Sequence, residues 1–479
     1  MSVNTYVIDL FAGAGGTSTA IFEAKTNIKV IACINHDKNA ILSHAANHPA
    51  CLHFTEDIRT INISPIVILV NHLRAKEPTC KIAIWASLEC TNFSRAKCGP
   101  KCADSRSLAE DMFRYLDAIN PDFFWVENVE EFLEWGPLDE YGNPIKKQRG
   151  ESYKAWAKQI RENYSFKGFY QDSLVSADFG GVTIRKRLFL QFAKTQELIG
   201  IPKQTHCKQG VNGTVWKPVR DVLDLTNYGK SILDRKKPLV PKTHKNILRG
   251  LQKYGPKEGV NFGFTYYGNS GNVDLTSPCP TLTTKDRVAL IGVKTICVNQ
   301  AYGNPTTRSV NEPFNTITAN PKGDVITAKK IGFMFNPQYG GSTRSVDQPA
   351  GTLIARQDKA PMQLASIELV EYPIKVEVVE NATEGKSVEV FDNLIVYNIF
   401  ENDDEHLAEI KRYMAKFRII DMCNRPLTIV EMLQIQGFPK AYQLIGTQTE
   451  QKKYIGNSVE INVGIALFKA IDGVIQKIF

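Results

Sequence analysis

The sequence predicts an α/β fold, an open and mostly parallel sheet with helices on both faces, joined to a β-rich insert. Up to about residue 195, short apolar runs with strand character alternate with helix-like segments. From about 200 to 365 the texture changes to short strand-like pieces broken by Gly, Pro and Asn. Helical periodicity returns at about 405 and lasts to the end of the chain.

In order, the first strands are expected at Tyr6 to Phe11, Lys29 to Ile34, Lys81 to Ala86 and Asp122 to Val126, with a further one at Leu188 to Phe192. The first opens through a glycine-rich stretch into a helix at about Thr17. Ser64 followed by Pro65 reads as a cap and first-turn proline of another helix, and Ser105 as a second cap. In the β-rich part, Pro278-Cys-Pro-Thr-Leu-Thr, Pro313-Phe-Asn-Thr-Ile-Thr and Pro349-Ala-Gly-Thr-Leu-Ile recur about every 35 residues, each behind a Tyr-Gly type segment at Tyr266, Tyr302 and Tyr339. These are expected to be repeated hairpins. Residues 370 to 400 continue in β-like alternation, and Val459 to Ile478 reads as an amphipathic closing helix. The expected division is 1–195, an inserted 196–404 with its repeats at about 266–355, and 405–479 returning to the first domain.

At 479 residues the chain is too long for a single core, and 43% hydrophobic with 23% charged residues is ordinary globular usage. The start, MSVNTYVIDLF, lacks a basic leader, and Ile66-Val-Ile-Leu-Val is too short to cross a bilayer, so a cytoplasmic chain with no membrane partner is expected. The ten cysteines are irregularly spaced and read as free thiols. Cys98 and Cys102 resemble half a zinc site, but no second pair follows at finger spacing, and no metal is expected. The net charge of +8 is uneven: Lys203, Lys208, Lys217, Arg220, Lys230, Arg235, Lys236, Lys237, Lys242, Lys245, Arg249, Lys253 and Lys257 crowd one region, either a solvated surface or a phosphate-binding one.

Candidate site residues gather at predicted strand ends. Asp9-Leu-Phe11-Ala12-Gly13-Ala-Gly15-Gly16 would let a ligand approach the backbone closely, and Ser18 in place of a third glycine counts against a nicotinamide dinucleotide and toward another adenosine-bearing cofactor. Asn35-His36-Asp37 could take ribose hydroxyls, and Glu56-Asp57-Ile58 follows the third strand. Cys90 sits among Glu89, Thr91, Asn92 and Ser94, which do not make the apolar surroundings of a buried cysteine and so suggest a reactive thiol. Glu127 ends the fifth strand, and Arg185 and Arg187 precede the next. Together these would supply a nucleophile, an acid and an electrostatic clamp.

With these residues in view, the chain resembles the DNA cytosine-5 methyltransferases. DLFAGAGG is similar to the family's first motif, Glu127-Asn128-Val129 to its glutamate motif, and Thr183-x-Arg185-x-Arg187 to its Gln-x-Arg-x-Arg motif with Thr for Gln. Arg425-Pro-Leu-Thr428 with Gln436-Gly-Phe-Pro439, and Ile455-Gly-Asn457-Ser458-Val459, resemble its last two motifs. The cysteine loop departs from the usual Pro-Cys-Gln and looks like a Ser-Pro-Glu-Cys-Thr subgroup with Leu88 for Pro; Asn35 stands where an acid, and His36 where an aromatic ring, is usual.

The resemblance implies a Rossmann-like S-adenosylmethionine-dependent methyltransferase domain with an inserted target recognition domain. It implies S-adenosyl-L-methionine as cofactor, held by Asp9, Phe11, Ala12, Gly13, Gly15, Gly16, Asn35, His36, Asp37, Asp57, Ile58, Asn457 and Ser458. Cys90, Glu127, Arg185 and Arg187 would be catalytic, with base flipping of a cytosine in double-stranded DNA. A monomer, with a cognate restriction endonuclease as candidate partner at the same site, completes the expectation. RNA cytosine methylation and a DNA-binding homologue without turnover stay open as rivals; a dehydrogenase-like protein would leave Cys90 and Glu127 without a role.

Overall fold

The computed structural model describes residues 2–88, 108–141, 143–210, 214–224, 227, 229–254, 375–391, 394–417 and 419–479, and between 255 and 374 the backbone of the strands alone. The chain forms two compact units: Met1–Trp216, Thr281–Lys285 and Met432–Phe479 make the first, and Lys217–Pro280 with Asp286–Glu431 the second. The first is therefore discontinuous in sequence.

The first unit is built on seven strands, β1 (Thr5–Leu10), β2 (Ile28–Ile34), β3 (Leu52–Phe54), β4 (Lys81–Ser87), β5 (Phe123–Asn128), β6 (Gly168–Val175) and β8 (Lys186–Ala193), with the two-residue β7 (Thr183–Ile184) outside the sheet. The sheet order is β3-β2-β1-β4-β5-β8-β6. Pairings among the first five are parallel, and β8 runs antiparallel to both β5 and β6. The α/β class and mostly parallel sheet read from the sequence are those of the structure. The antiparallel pair at one end was not legible, because apolar alternation carries no direction.

Side chains alternate across the strands, so each face collects its own set. On one face Ile8, Ile82, Ile84, Phe124 and Val126 pack with Ile66 and Val70 of α3 (Ser64–Lys76), Met112 and Leu116 of α4 (Met112–Ile119) and Trp156 and Ile160 of α5 (Glu151–Asn163). On the other, Trp85 and Trp125 lie with ring centres 5.1 and 6.0 Å from Phe468 of the closing helix, Ile461–Ile478. That helix also lies against α1 (Gly16–Ala24), where a Cβ on Gly464 would come within 2.6 Å of Ala20 Cβ. Only glycine allows that approach. Ser64 proves to be the first residue of α3 and Ile63 its cap, because Asn62 Oδ1 accepts the Ser64 N–H at 3.0 Å instead. The Ser105 cap lies outside the described residues.

The second unit is β-rich. Its largest sheet runs Phe264–Thr265, Ser342–Ser345, Ile331–Phe335, Ala289–Gly292, Gln363–Leu369, Ile419–Pro426 and Lys230–Ser231. Helices Pro241–Tyr254 and Glu405–Phe417 contribute Ile247, Leu251, Ile410 and Met414 to a core with Ile395, Tyr397 and Met422. The repeat positions 266, 278, 302, 313, 339 and 349 lie outside the described residues, but strands Leu282–Thr284 and Thr352–Ala355 fall on the Thr-Leu-Thr and Thr-Leu-Ile segments that follow the prolines.

The Arg425-Pro-Leu-Thr428 motif has an architectural use in this unit. Arg425 forms two 2.8 Å hydrogen bonds to the Glu431 carboxylate, and both residues are buried. Thr428 Oγ1 accepts the Glu431 N–H at 3.2 Å while Glu431 Oε2 accepts the Thr428 N–H at 2.7 Å. This reciprocal capping box starts the helix Ile429–Ile435.

Candidate active site

Parallel strands end on one edge, so β1 to β5 deliver their following residues to the same side of the first unit. The order reverses between β1 and β4, where open α/β sheets form a crevice. Because β8 is antiparallel, its beginning reaches that edge too: Asn128 at the end of β5 is the register partner of Leu188. The topology thereby brings Asp9, Asn35, Asp57, Glu127 and Arg185 to one rim.

At β1 the chain turns sharply. Phe11 and Gly13 have φ of 62° and 54°, and the Ala12 N–H donates to Ile34 O at 3.1 Å, tying the turn to β2. A Cβ on Gly13 would meet nothing nearer than Phe11 O at 4.0 Å, so this glycine leaves open space. Gly15 and Gly16 differ. Their missing side chains are replaced by the chain itself, His44, His48 and the Tyr442 hydroxyl at the first and Ser458 Cβ, 2.9 Å from a built Cβ, at the second. Asp9 is fully buried, accepts from Ser18 Oγ at 3.2 Å, and burial pushes its carboxyl up to about 8.

Beyond β2, Asn35 Oδ1 accepts the Asp37 N–H at 2.9 Å and His36 is exposed. Asp37 caps α2 (Lys38–Asn47), accepting from Asn39 N and Ala40 N at 3.1 Å, and also takes the Tyr454 hydroxyl at 2.8 Å. Beyond β3, Asp57 is held by Arg59, whose hydrogen bonds keep its carboxyl down at about 2, and the buried Ile58 offers its carbonyl to Tyr115 Oη at 2.7 Å. An adenosyl ligand fits this rim: Gly13 provides a cradle without a side chain, Phe11 and His36 provide ring surfaces, and Asn35 a half-buried amide. The Asp37 carboxylate is committed to the fold.

The fifth strand brings the carboxylate. Glu127 is 5% exposed, and burial holds its carboxyl above the usual range against the opposing pull of Arg187 and Arg185. Arg187 Nε stands 3.4 Å from Glu127 Oε1. Next to it, Asn128 Oδ1 accepts the Val129 N–H at 2.8 Å, and its buried amide nitrogen has no partner among the described residues. Glu127 is the register partner of Ser87, the last residue of β4. Cys90 lies outside the described residues; it follows Ser87 by three positions.

Arg185 differs from the expected clamp. Its buried guanidinium donates to Gly456 O at 3.1 Å and Ser458 O at 2.9 Å, so it braces the turn that carries the exposed Asn457. Missed altogether in the sequence was Glu460. It caps the closing helix by accepting the Val463 N–H at 3.0 Å, and burial raises its carboxyl to about 7. Its position just before the helix was the available signal.

The family model for C-5 cytosine-specific DNA methylase matches residues 5–473. The chain belongs to that family. The family's enzymes are S-adenosylmethionine-dependent methyltransferases of cytosine carbon 5, and the α/β unit described above is their kind of fold. Similar solved structures include a candidate DNA modification methyltransferase encoded within an E. coli prophage, at 15% identity and a TM-score of 0.40 over 98% of this chain and 99% of that one. Spodoptera frugiperda DNMT2 gives 14% and 0.47 over 98% and 99%, and S. pombe Dnmt2 14% and 0.43 over 97% and 98%. No curated protein matches the chain. Among the described residues of this methylase-family chain, no helix is long and apolar enough to cross a membrane.

Proposed function

We propose that the protein methylates carbon 5 of cytosine in duplex DNA through a covalent adduct with Cys90. The observation that supports this most is the buried Glu127, its carboxyl raised by burial, beside Arg187 and directly across from the strand end that leads to residue 90.

Cytosine carbon 5 is a poor nucleophile and needs activation. The Cys90 thiolate bonds to carbon 6, and the electron pair of the 5,6 double bond shifts into the ring as Glu127 gives its proton to ring nitrogen 3. Arg187, 3.4 Å away, then faces a glutamate that has become anionic, which favours that transfer. Phe11, Gly13, Asn35 and His36 would hold S-adenosylmethionine, which when bound would supply an electrophilic methyl group and leave as the thioether. Once carbon 5 carries the methyl group, the carbon 5 proton passes to solvent water acting as base, its electron pair restores the 5,6 double bond as the sulfur–carbon bond breaks and frees the Cys90 thiolate, and the proton on ring nitrogen 3 returns to Glu127.

Stacking shields carbon 6 in a duplex, so the target base has to swing out at a cost of a few kcal/mol. The second unit is the candidate target recognition domain. In its described part Lys230, Lys236, Lys237, Lys245 and Arg249 are exposed, a suitable set for phosphates. The test is incubation with methyl-labelled S-adenosylmethionine and either duplex DNA or RNA, followed by nucleoside analysis. Labelled 5-methylcytosine in DNA is expected; label confined to RNA would overturn the DNA assignment.

A further inference from the structure

We propose that Cys33, His44, Cys51 and His53 form a metal site of the zinc class, built into the β2–α2–β3 segment and separate from the reaction centre. Each of the four offers one ligand atom, and these atoms lie within 4.8 Å of one another. A tetrahedral zinc with sulfur at about 2.3 Å and nitrogen at about 2.0–2.1 Å sets its ligands roughly 3.3–3.8 Å apart, so the widest pairs close by about 1 Å at most and the two imidazoles open by about 0.4 Å to complete the shell.

The backbone holds the donors in place from three elements. Cys33 on β2 is the register partner of His53 on β3, His44 comes from α2, and Cys51 immediately precedes β3. Cys33, His44 and Cys51 are buried and His53 is half-buried. His44 Nδ1 lies 2.9 Å from His53 Nε2, a hydrogen bond whose proton a metal would replace as the two rings part to ligand spacing. The other His44 nitrogen, Nε2, is 2.9 Å from Ser18 Oγ, which donates its single proton to Asp9. Ser18 therefore accepts from Nε2–H, leaving the Nδ1 lone pair on the side of His53, where it accepts from His53 Nε2 and could turn to a metal. An outer hydrogen bond of this kind fixes the tautomer of metal-binding histidines.

Charge also suits the place. Two thiols that lose their protons to solvent on binding give two thiolates, which neutralise a divalent cation, so the filled site adds no net charge to a buried region. The site would staple the loop between Cys33 and His44, where Asn35, His36 and Asp37 lie. The spacing Cys-x10-His-x6-Cys-x-His is unlike a zinc finger, and only the register of β2 with β3 brings its ends together.

The test uses the full-length protein with Cys98 and Cys102 replaced by serine, which removes the other cysteine pair. After chelation and with the thiols kept reduced, it is titrated with cobalt(II). The expected result is one cobalt per chain with intense visible bands of tetrahedral coordination and near-ultraviolet thiolate charge transfer. Cys51→Ser should weaken the charge transfer and His53→Gln should lower affinity at least about tenfold, with circular dichroism reporting the fold; His53 is half-buried and the milder change. A reduced protein that gives no such bands would overturn the proposal. So would an unchanged spectrum in both variants, or a Cys33–Cys51 disulfide that persists where metal is offered.

Discussion

Glu127 and Asp9 are both buried carboxyls, and their surroundings give them different consequences. Glu127 has Arg187 at 3.4 Å and is the proton donor of the proposed mechanism, so Glu127→Gln should keep the fold and lower methyl transfer about 10²–10⁴-fold, measured by label incorporation. In that mechanism its proton is the one transferred, and burial raises the carboxyl. The wild-type rate should accordingly fall as pH rises through that raised value, and a rate that climbs steadily into alkali would contradict this. Asp9 is held up at about 8 against an ordinary 3.8. The folded state binds this proton more tightly than the unfolded state, so the contribution is complete below about 4 and is lost as pH rises to about 8. Asp9→Asn should flatten that part of the stability curve, measured by denaturant unfolding across the range. An unchanged slope would show that Asp9 is not the group responsible.

Two close contacts hold neighbouring elements together. Gly464 lets the closing helix lie on α1, and a Cβ there would come 2.6 Å from Ala20 Cβ. Gly464→Val should destabilise by about 1–3 kcal/mol through overpacking, read from the shift in the urea midpoint. In the second unit, Arg425→Ala would strand the buried Glu431 carboxylate, and a loss of about 3–5 kcal/mol is expected by the same measurement. The helices and strands themselves were largely legible. Lys81 to Ala86 became β4 with one residue added, because a continuous apolar run between polar flanks belongs to a strand buried on both faces. Which core an element joins was less legible. The amphipathic helix Glu405–Phe417 shows in sequence that one face is buried, but only the structure shows Ile410 and Met414 against Ile395 and Tyr397.

For the molecule as a whole, the motifs made the candidate site readable and topology supplied what spacing could not. Glu127 and Arg187 are 60 positions apart only in sequence; the antiparallel pairing of β5 with β8 makes them neighbours. Arg185, expected to hold a ligand, braces Gly456 and Ser458 instead, because a buried guanidinium takes the nearest carbonyls and a motif does not record its rotamer. The Cys33, His44, Cys51 and His53 cluster stayed invisible for the same reason of distance along the chain. The proposed reaction depends on a thioether between Cys90 and a cytosine, and trapping on duplex DNA containing 5-fluorocytosine tests it directly, since fluorine at carbon 5 blocks the final elimination. With S-adenosylmethionine present, wild type should give a protein–DNA adduct that survives denaturation and Cys90→Ser should give none; equal trapping by both would contradict the mechanism.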